Sequence, residues 1–206
     1  MIALEDLRAD CARCTGLCCV APAFARSSDF AFDKPAGTPC RNLAADARCG
    51  IHADLRERGM PGCTVFDCFG AGQALSARVD WRVGDRGQAF AAFSPLRDLH
   101  ELLRYLVEAR ALVAGTTSDG LLDELAAAIE ETQRLSELDP AALARLDVDA
   151  HRAAVNPLLN QVSTQVRGEG PDRRGAALIG ADLRGVDLRR ASLRGALLIG
   201  ADLRGA

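Results

Sequence analysis

Eight cysteines dominate the chemistry this sequence can do. Four of them, Cys11, Cys14, Cys18 and Cys19, fall within nine residues of DCARCTGLCCV and form a C-x2-C-x3-C-C pattern. Cys40 follows, then Cys49 after 8 intervening residues, Cys63 after 13 and Cys68 after 4, and none comes later in the 206-residue chain. Thiolates are soft ligands, so this donor set suits zinc, Cu(I) or an iron–sulfur cluster. A C-x2-C turn puts two of them within reach of one ion, at about 2.3 Å each for zinc. The adjacent pair Cys18–Cys19 behaves differently, because neighbouring side chains diverge: each serves a different site, or one bridges. Eight thiols allow two four-thiolate sites, and His52, three residues past Cys49, could replace one ligand. Disulfide cross-linking and simple burial are the competing readings.

Compartment favours metal. Residues 1–10, MIALEDLRAD, are acidic and carry no basic stretch followed by an apolar run, so no secretory signal is legible. No window approaches the roughly 20 consecutive apolar residues of a membrane helix. A cytoplasmic location is the expectation, and thiols stay reduced there. The formal charge of −3 gives no electrostatic case for nucleic acid or an anionic membrane, which leaves another protein as the expected partner. No Ser-His-Asp set, Walker loop or dinucleotide fingerprint is legible; GAGQA at Gly70 to Ala74 has too few glycines. His100 and His151 read as surface residues of helical stretches. Asp29, Asp33 and Asp67 read either as groups supporting the thiols or as solvated turn carboxylates.

The elements that must position the thiols fall into three parts. Residues 1–90 are rich in Cys, Gly and Pro, with few periodic stretches, as expected where ligand bonds pin the loops; ARVDWRV alternates as a strand would, with Trp81 inward. Residues 94–167 are helical. Leu96, Leu99, Leu103, Leu106 and Val107 form one stripe, with Ser94 as cap and Pro95 at the first helical position. After the turn signal GTTSDG, Leu121, Leu122, Leu125, Ala128, Ile129 and Leu135 form a second. Asp139 and Pro140 open a short third helix. Val155, Leu158, Leu159, Val162 and Val166 mark a fourth, which Pro157 kinks or starts, with Asn156 as its cap. A small antiparallel bundle is expected here, its apolar stripes forming core.

RGEGPDRRG then breaks the helical pattern, and from residue 175 the period becomes five: AALIG, ADLRG, VDLRR, ASLRG, ALLIG, ADLRG. Leu178, Leu183, Leu188, Leu193, Leu198 and Leu203 are the central residues, each two positions after a small apolar one such as Ala176 or Val186. This resembles the pentapeptide-repeat family, which implies a right-handed quadrilateral β-helix with four repeats per coil. One large and one small apolar side chain per unit suit a narrow tube, with Asp, Arg and Gly outside. The pattern stops without a cap, so a truncated chain or a partner over the open end is expected. DNA mimicry fits poorly: residues 168–206 hold seven Arg against five Asp and Glu, a net of +2.

The cysteine ladder also resembles a known family. The C-x2-C-x3-C-C run, PCRNLAADARCGIH and GMPGCTVFDC are similar to the YkgJ-type cysteine-cluster family, described as zinc- or iron-chelating. The resemblance covers residues 11–68 and implies Cys11, Cys14, Cys18, Cys19, Cys40, Cys49, Cys63 and Cys68 as ligands; ERGMPGC replaces the usual Arg-Pro before the seventh cysteine. The expected fold is therefore mixed: a metal-pinned module, a helical connector and the start of a β-helix. The favoured function is a metal-binding scaffold with no enzymatic activity. An iron–sulfur redox protein or enzyme supporting protein modification is the alternative.

Overall fold

The computed structural model describes residues 2–115 and 119–206; Thr116, Thr117 and Ser118 of the GTTSDG turn lie outside the described residues. A 3₁₀ turn (Cys11–Arg13) leads into helix α1 (Leu17–Val20), and a second 3₁₀ turn (His52–Asp54) precedes α2 (Gly62–Val65) and α3 (Ala71–Ser76). Four further helices follow: α4 (Arg86–Val113), α5 (Asp119–Ser136), α6 (Pro140–Leu143) and α7 (Val148–Arg167). The chain divides into two compact units, residues 1–157 and 158–206.

The first unit is built on α4. Its stripe of Ala89, Ala92, Phe93, Leu96 and Leu99 is buried together with Leu135 of α5, Leu143 of α6 and Val148 of α7. The cysteine-rich third contributes to the same core through Leu17 and Val20 of α1, Ala71 and Leu75 of α3, and Trp81. Leu17 and Val20 stand three positions apart, hence on one face of α1, and burying both turns Cys18 and Cys19 away from the core.

The start of α4 differs from the sequence expectation at Pro95, and of the two readings of Pro157 the interior one is realised. α4 begins nine residues before Pro95, because the Asp85 carboxylate accepts the Gln88 N–H at 3.0 Å and Ala89, Ala92 and Phe93 extend the apolar stripe backwards. Pro95 sits inside the helix and removes one backbone hydrogen bond. α7 likewise starts at Val148, where the Asp147 carboxylate accepts the Ala150 N–H at 2.9 Å, and Pro157 is interior rather than initial. The Asp139–Pro140 start of α6 is as expected, with Asp139 accepting the Ala142 N–H at 2.9 Å. ARVDWRV forms turns, not a strand, although Trp81 does face inward.

Both histidines of the first unit's helices are engaged rather than free on the surface. His100 is buried, with Nδ1 2.8 Å from the Phe69 carbonyl, which ties α4 to the segment ahead of α3. His151 is half-buried, with Nε2 2.8 Å from the Thr132 hydroxyl of α5.

In the second unit the expected β-helix is not seen: there is no β-strand or sheet among the described residues. The repeats pair through isolated parallel bridges between residues twenty apart, Asp172 with Ser192, Ala177 with Leu197 and Asp182 with Asp202. The reason lies in the five-residue unit, which spends its last two residues on a tight turn and leaves only one to bridge. The apolar pattern is nonetheless honoured. The small and central positions are mostly half-buried, while Asp182 with Arg184 and Asp187 with Arg189 pair outward at 2.6 and 2.7 Å.

Burial holds the His100 imidazole below its ordinary pKa, against the opposing pull of the Phe69 carbonyl. Its stabilising effect is therefore complete above the unfolded value of about 6.5 and is lost as pH falls below it, because the unfolded ring takes the proton first. Urea unfolding at pH 7.5 and 5.5 should show a loss of stability on acidification that is smaller in His100→Gln.

Candidate functional site

The thiols are mounted on the edge of the first unit's core by a small hydrogen-bonded node around Thr15. Its N–H donates to the Ser76 hydroxyl at 2.9 Å, its own hydroxyl lies 3.0 Å from the same oxygen, and its carbonyl accepts the buried Trp81 Nε1–H at 2.8 Å. Ser76, the last residue of α3, closes the node on the Gly72 carbonyl at 2.8 Å and lies 3.8 Å from the Cys14 Sγ. The Gln73 side chain of the same helix clamps residues ahead of Cys11, donating to the Arg8 carbonyl at 2.7 Å and accepting the Asp10 N–H at 3.1 Å.

Gly16 lets the chain turn from this node into α1. It has a positive φ of 75°, and a Cβ there would meet Leu43 Cδ1 at 2.8 Å and the Ala47 carbonyl oxygen at 2.9 Å. The loop from Cys40 to Cys49 is thereby seated against α1. Cys40 N–H donates to the Cys19 carbonyl at 2.9 Å, and Leu43 pairs with Cys49 in an antiparallel bridge. Across α1, Lys34 is buried, although it is the chain's single lysine. Its ammonium donates to the carbonyls of Val20 at 2.8 Å, Pro22 at 2.5 Å and Pro35 at 3.2 Å, capping the C-terminal end of α1. Burial lowers its pKa, and the neighbouring thiols Cys40, Cys19 and Cys18 push it back up.

Cys63 lies on α2 and Cys68 just before α3. The strand of chain between them is held to α4 by Arg97, whose Nε donates to the Asp67 carbonyl at 3.0 Å and whose guanidinium lies over the rings of Phe66 and Phe69. The Asp67 carboxylate accepts the Phe69 N–H at 2.7 Å, and Asp33 accepts the Arg26 N–H at 2.8 Å; both serve turns. Asp29 is exposed, and its carbonyl accepts the Gly62 N–H at 3.0 Å.

All eight cysteines are free thiols. Burial raises the Cys11 pKa, and the charges of Cys18, Cys14 and Cys68 add to it. Burial likewise raises Cys63, helped by Cys40, Cys49 and Cys18. Cys68 is raised by burial against the backbone N–H groups of Gly72 and Gly70, with Cys18 and Cys14 adding. Cys18 is driven far up by its hydrogen bond with Cys19 and then by burial. Segments as distant as residues 11 and 68 thus meet in one electrostatic neighbourhood. Among the described residues, no three Cys, His, Asp or Glu side chains stand in a closed ion-holding array. His52 is exposed at the start of its 3₁₀ turn, with its N–H on the Cys49 carbonyl at 3.3 Å. Eight unoxidised sulfurs are soft donors of the kind thiophilic metals take.

Sequence reasoning found the thiols and missed their frame. Thr15, Gly72, Gln73, Ser76 and Lys34 carry no spacing signal; the one available hint was a lone lysine in a chain otherwise furnished with arginine.

Comparison with known proteins places the second unit first. The family described as pentapeptide repeats (8 copies) matches residues 174–206, so this segment is a repeat protein's. A protein of Bacillus subtilis (strain 168), described as "Uncharacterized protein YybG", is 48% identical over 192 residues, covering 87% of this chain and 68% of that protein. The chain belongs to the family of YybG, and the match reaches far beyond the repeats. No solved structure matches. No helix among the described residues is long and apolar enough to cross a membrane.

The two glycines Gly16 and Gly115 separate backbone strain from crowding. Both have positive φ, 75° and 79°, but a Cβ at Gly115 would meet none of the described residues within 4 Å. Gly115→Ala should cost about 1 kcal/mol, whereas Gly16→Ala should cost several times that, on the order of 3 kcal/mol, because Leu43 and the Ala47 carbonyl must also move. Denaturant midpoints of the two variants check the difference.

Proposed function

We propose that this protein holds zinc or iron on its cysteine ladder and acts as a binding scaffold, with the repeat segment as its contact surface for another protein. The observation that carries the reading is eight free thiols on a few adjoining turns, with the Cys14 and Cys68 sulfurs both facing Gly72 and the Cys40 N–H on the Cys19 carbonyl. A reduced thiol cluster of this density has no packing advantage that Ala or Val would lack, and it repels its own ionisation. A divalent or trivalent ion removes that repulsion and converts it into a fold-stabilising bond network. The cysteine spacing resembles that of the YkgJ-type cluster family, and the resemblance implies the same ligands.

The scaffold half of the reading rests on the second unit's exposed side chains. Four Asp–Arg pairs, Asp172–Arg174, Asp182–Arg184, Asp187–Arg189 and Asp202–Arg204, neutralise each other at the surface. Ile179, Leu197 and Ile199 interrupt them, with exposures of 60, 49 and 72%. Residues 177 and 197 are bridge partners, and the Gly180 N–H meets the Ile199 carbonyl at 2.9 Å, so these apolar groups gather on one face. An apolar strip framed by self-neutralised pairs suits a protein partner better than nucleic acid.

Replacing single thiols tests the metal reading. Cys14→Ser and Cys63→Ser should each lose bound metal and render the N-terminal third sensitive to protease, while the helical circular dichroism of α4 and α5 persists. Full metal content in both variants would contradict the ligand assignment.

A further inference from the structure

We infer that Arg167, Arg190 and Arg194, with Arg173 behind them, form a binding site in the second unit for a doubly charged oxyanion of the phosphate class. The site is built from the repeats and the end of α7 alone, so it stands whether or not the thiols hold metal.

The repeat pattern marks where positive charge is left over. The bridge between Asp172 and Ser192 sets PDRRG, residues 171–175, in register as a first unit of the same kind. An Asp at the second position of a unit and an Arg at the fourth make a self-contained pair, as in Asp172–Arg174, Asp182–Arg184, Asp187–Arg189 and Asp202–Arg204. In each the guanidinium lies along the carboxylate, with Nε and Nη2 both donating. Three arginines break that pattern. Ser192 replaces the Asp two positions before Arg194, Arg190 takes the fifth position that is Gly in the other units, and Arg173 takes the central position where the others carry Leu. These three and Arg167, the last residue of α7, make no ion pair among the described residues, and neither does Glu169 of the linker. Asp172 and Asp187 are held mainly by Arg174 and Arg189, and the charges of Arg167 and Arg190 reach them only as smaller additions.

The unpaired arginines meet at one corner. Asn160, Ser163 and Arg167 stand three and four residues apart and so share a face of α7. Arg167 Nη1 donates to the Ser163 Oγ at 3.2 Å, and Arg194 Nη1 donates to the Asn160 Oδ1 at 3.4 Å. Helix neighbours at that spacing have Cβ atoms about 5–6 Å apart, so the two guanidinium heads sit side by side within one turn. Arg190 adds a third head. The linker crosses directly over it: a Cβ at Gly170 would collide with the Arg190 carbonyl, and one at Gly168 would stand 3.7 Å from the Arg190 Nη1. The Arg173 N–H donates to the Ser192 carbonyl at 2.9 Å, which places Arg173 beside the segment that carries Arg194.

Burial gives this surplus its consequence. The Nε atoms of Arg167 and Arg173 are both buried without an acceptor among the described residues. A guanidinium does not lose its proton in a protein, so neither charge is relieved by titration, and a buried donor left unmet is destabilising. Arg190 and Arg194 are exposed, and the corner is open to solvent on their side. Because guanidinium charge is delocalised, an anion on the Nη groups of Arg167 and Arg194 offsets charge that the buried Nε edges cannot share with water. A phosphate group offers two charges and enough oxygens for two planar forks, whereas a single carboxylate fills only one.

Proton–nitrogen NMR of the arginine Nε–H groups of the full chain, titrated with inorganic phosphate against chloride at constant ionic strength, tests the site. Saturable shifts are expected at Arg167 and Arg194, while Arg184 and Arg204, held by their own aspartates, stay unmoved. Arg194→Gln, at an exposed position, should weaken phosphate binding by about tenfold, and Arg184→Gln should leave it unchanged. O-phosphoserine as a second probe separates the sources: tighter binding than inorganic phosphate assigns the site to a phosphate ester, weaker binding to the free anion. An equal response to chloride, equal shifts at the paired arginines, or undiminished binding by Arg194→Gln overturns the site and leaves these arginines as caps on the end of α7. The wild-type titration decides even where a variant does not fold.

Discussion

The organisation of the first unit depends on one constraint: the thiol-bearing turns have too few apolar residues to bury themselves and must be attached to a core built by other segments. Thr15 makes that attachment. Three of its polar atoms are taken up by Ser76 and Trp81, both more than sixty residues away in sequence, and these bonds fix Cys14 against α3. Leu17 and Val20 then carry the chain into the shared core, which leaves Cys18 and Cys19 no choice of direction. From the other end, His100 and Arg97 of α4 hold the carbonyls of Phe69 and Asp67, so that Cys68 arrives at the same helix. The donors here are a buried hydroxyl, an indole and an imidazole, each satisfied, and each costly to strand by mutation.

Much of the helical part was legible because the 3.6-residue period is a direct image of burial. Leu96, Leu99, Leu103 and Leu106 read as one stripe and are one buried stripe. Pro95 misled because it looks like a helix start, whereas Asp85 offered a carboxylate cap ten residues earlier and the apolar pattern tolerated the interior ring; Asp147 stands in the same relation to Pro157, where the interior reading is the one realised. The burial of His100 could not be read at all, since its partner is a backbone carbonyl, which leaves no mark in side-chain patterning. The repeats announced themselves by their period, but not their lack of strands. That lack follows from how few residues remain extended once each unit has made its turn.

The site followed the same division. Cysteine spacing told which residues belong together chemically, because a ligand must be a particular residue type. It could not tell which thiols meet, because Cys14 and Cys68 come together only where both face Gly72 of α3. The kinship with YybG covers 87% of this chain, far more than the repeat segment alone.

The central claim is that the thiol cluster exists to hold metal. The most direct measurement is elemental analysis, with an absorption spectrum, of the full chain purified without oxygen. Zinc at one or two ions per chain in a colourless protein agrees with the account, as does iron with acid-labile sulfide and a broad band near about 400 nm. A metal-free protein in which all eight thiols titrate freely would contradict it.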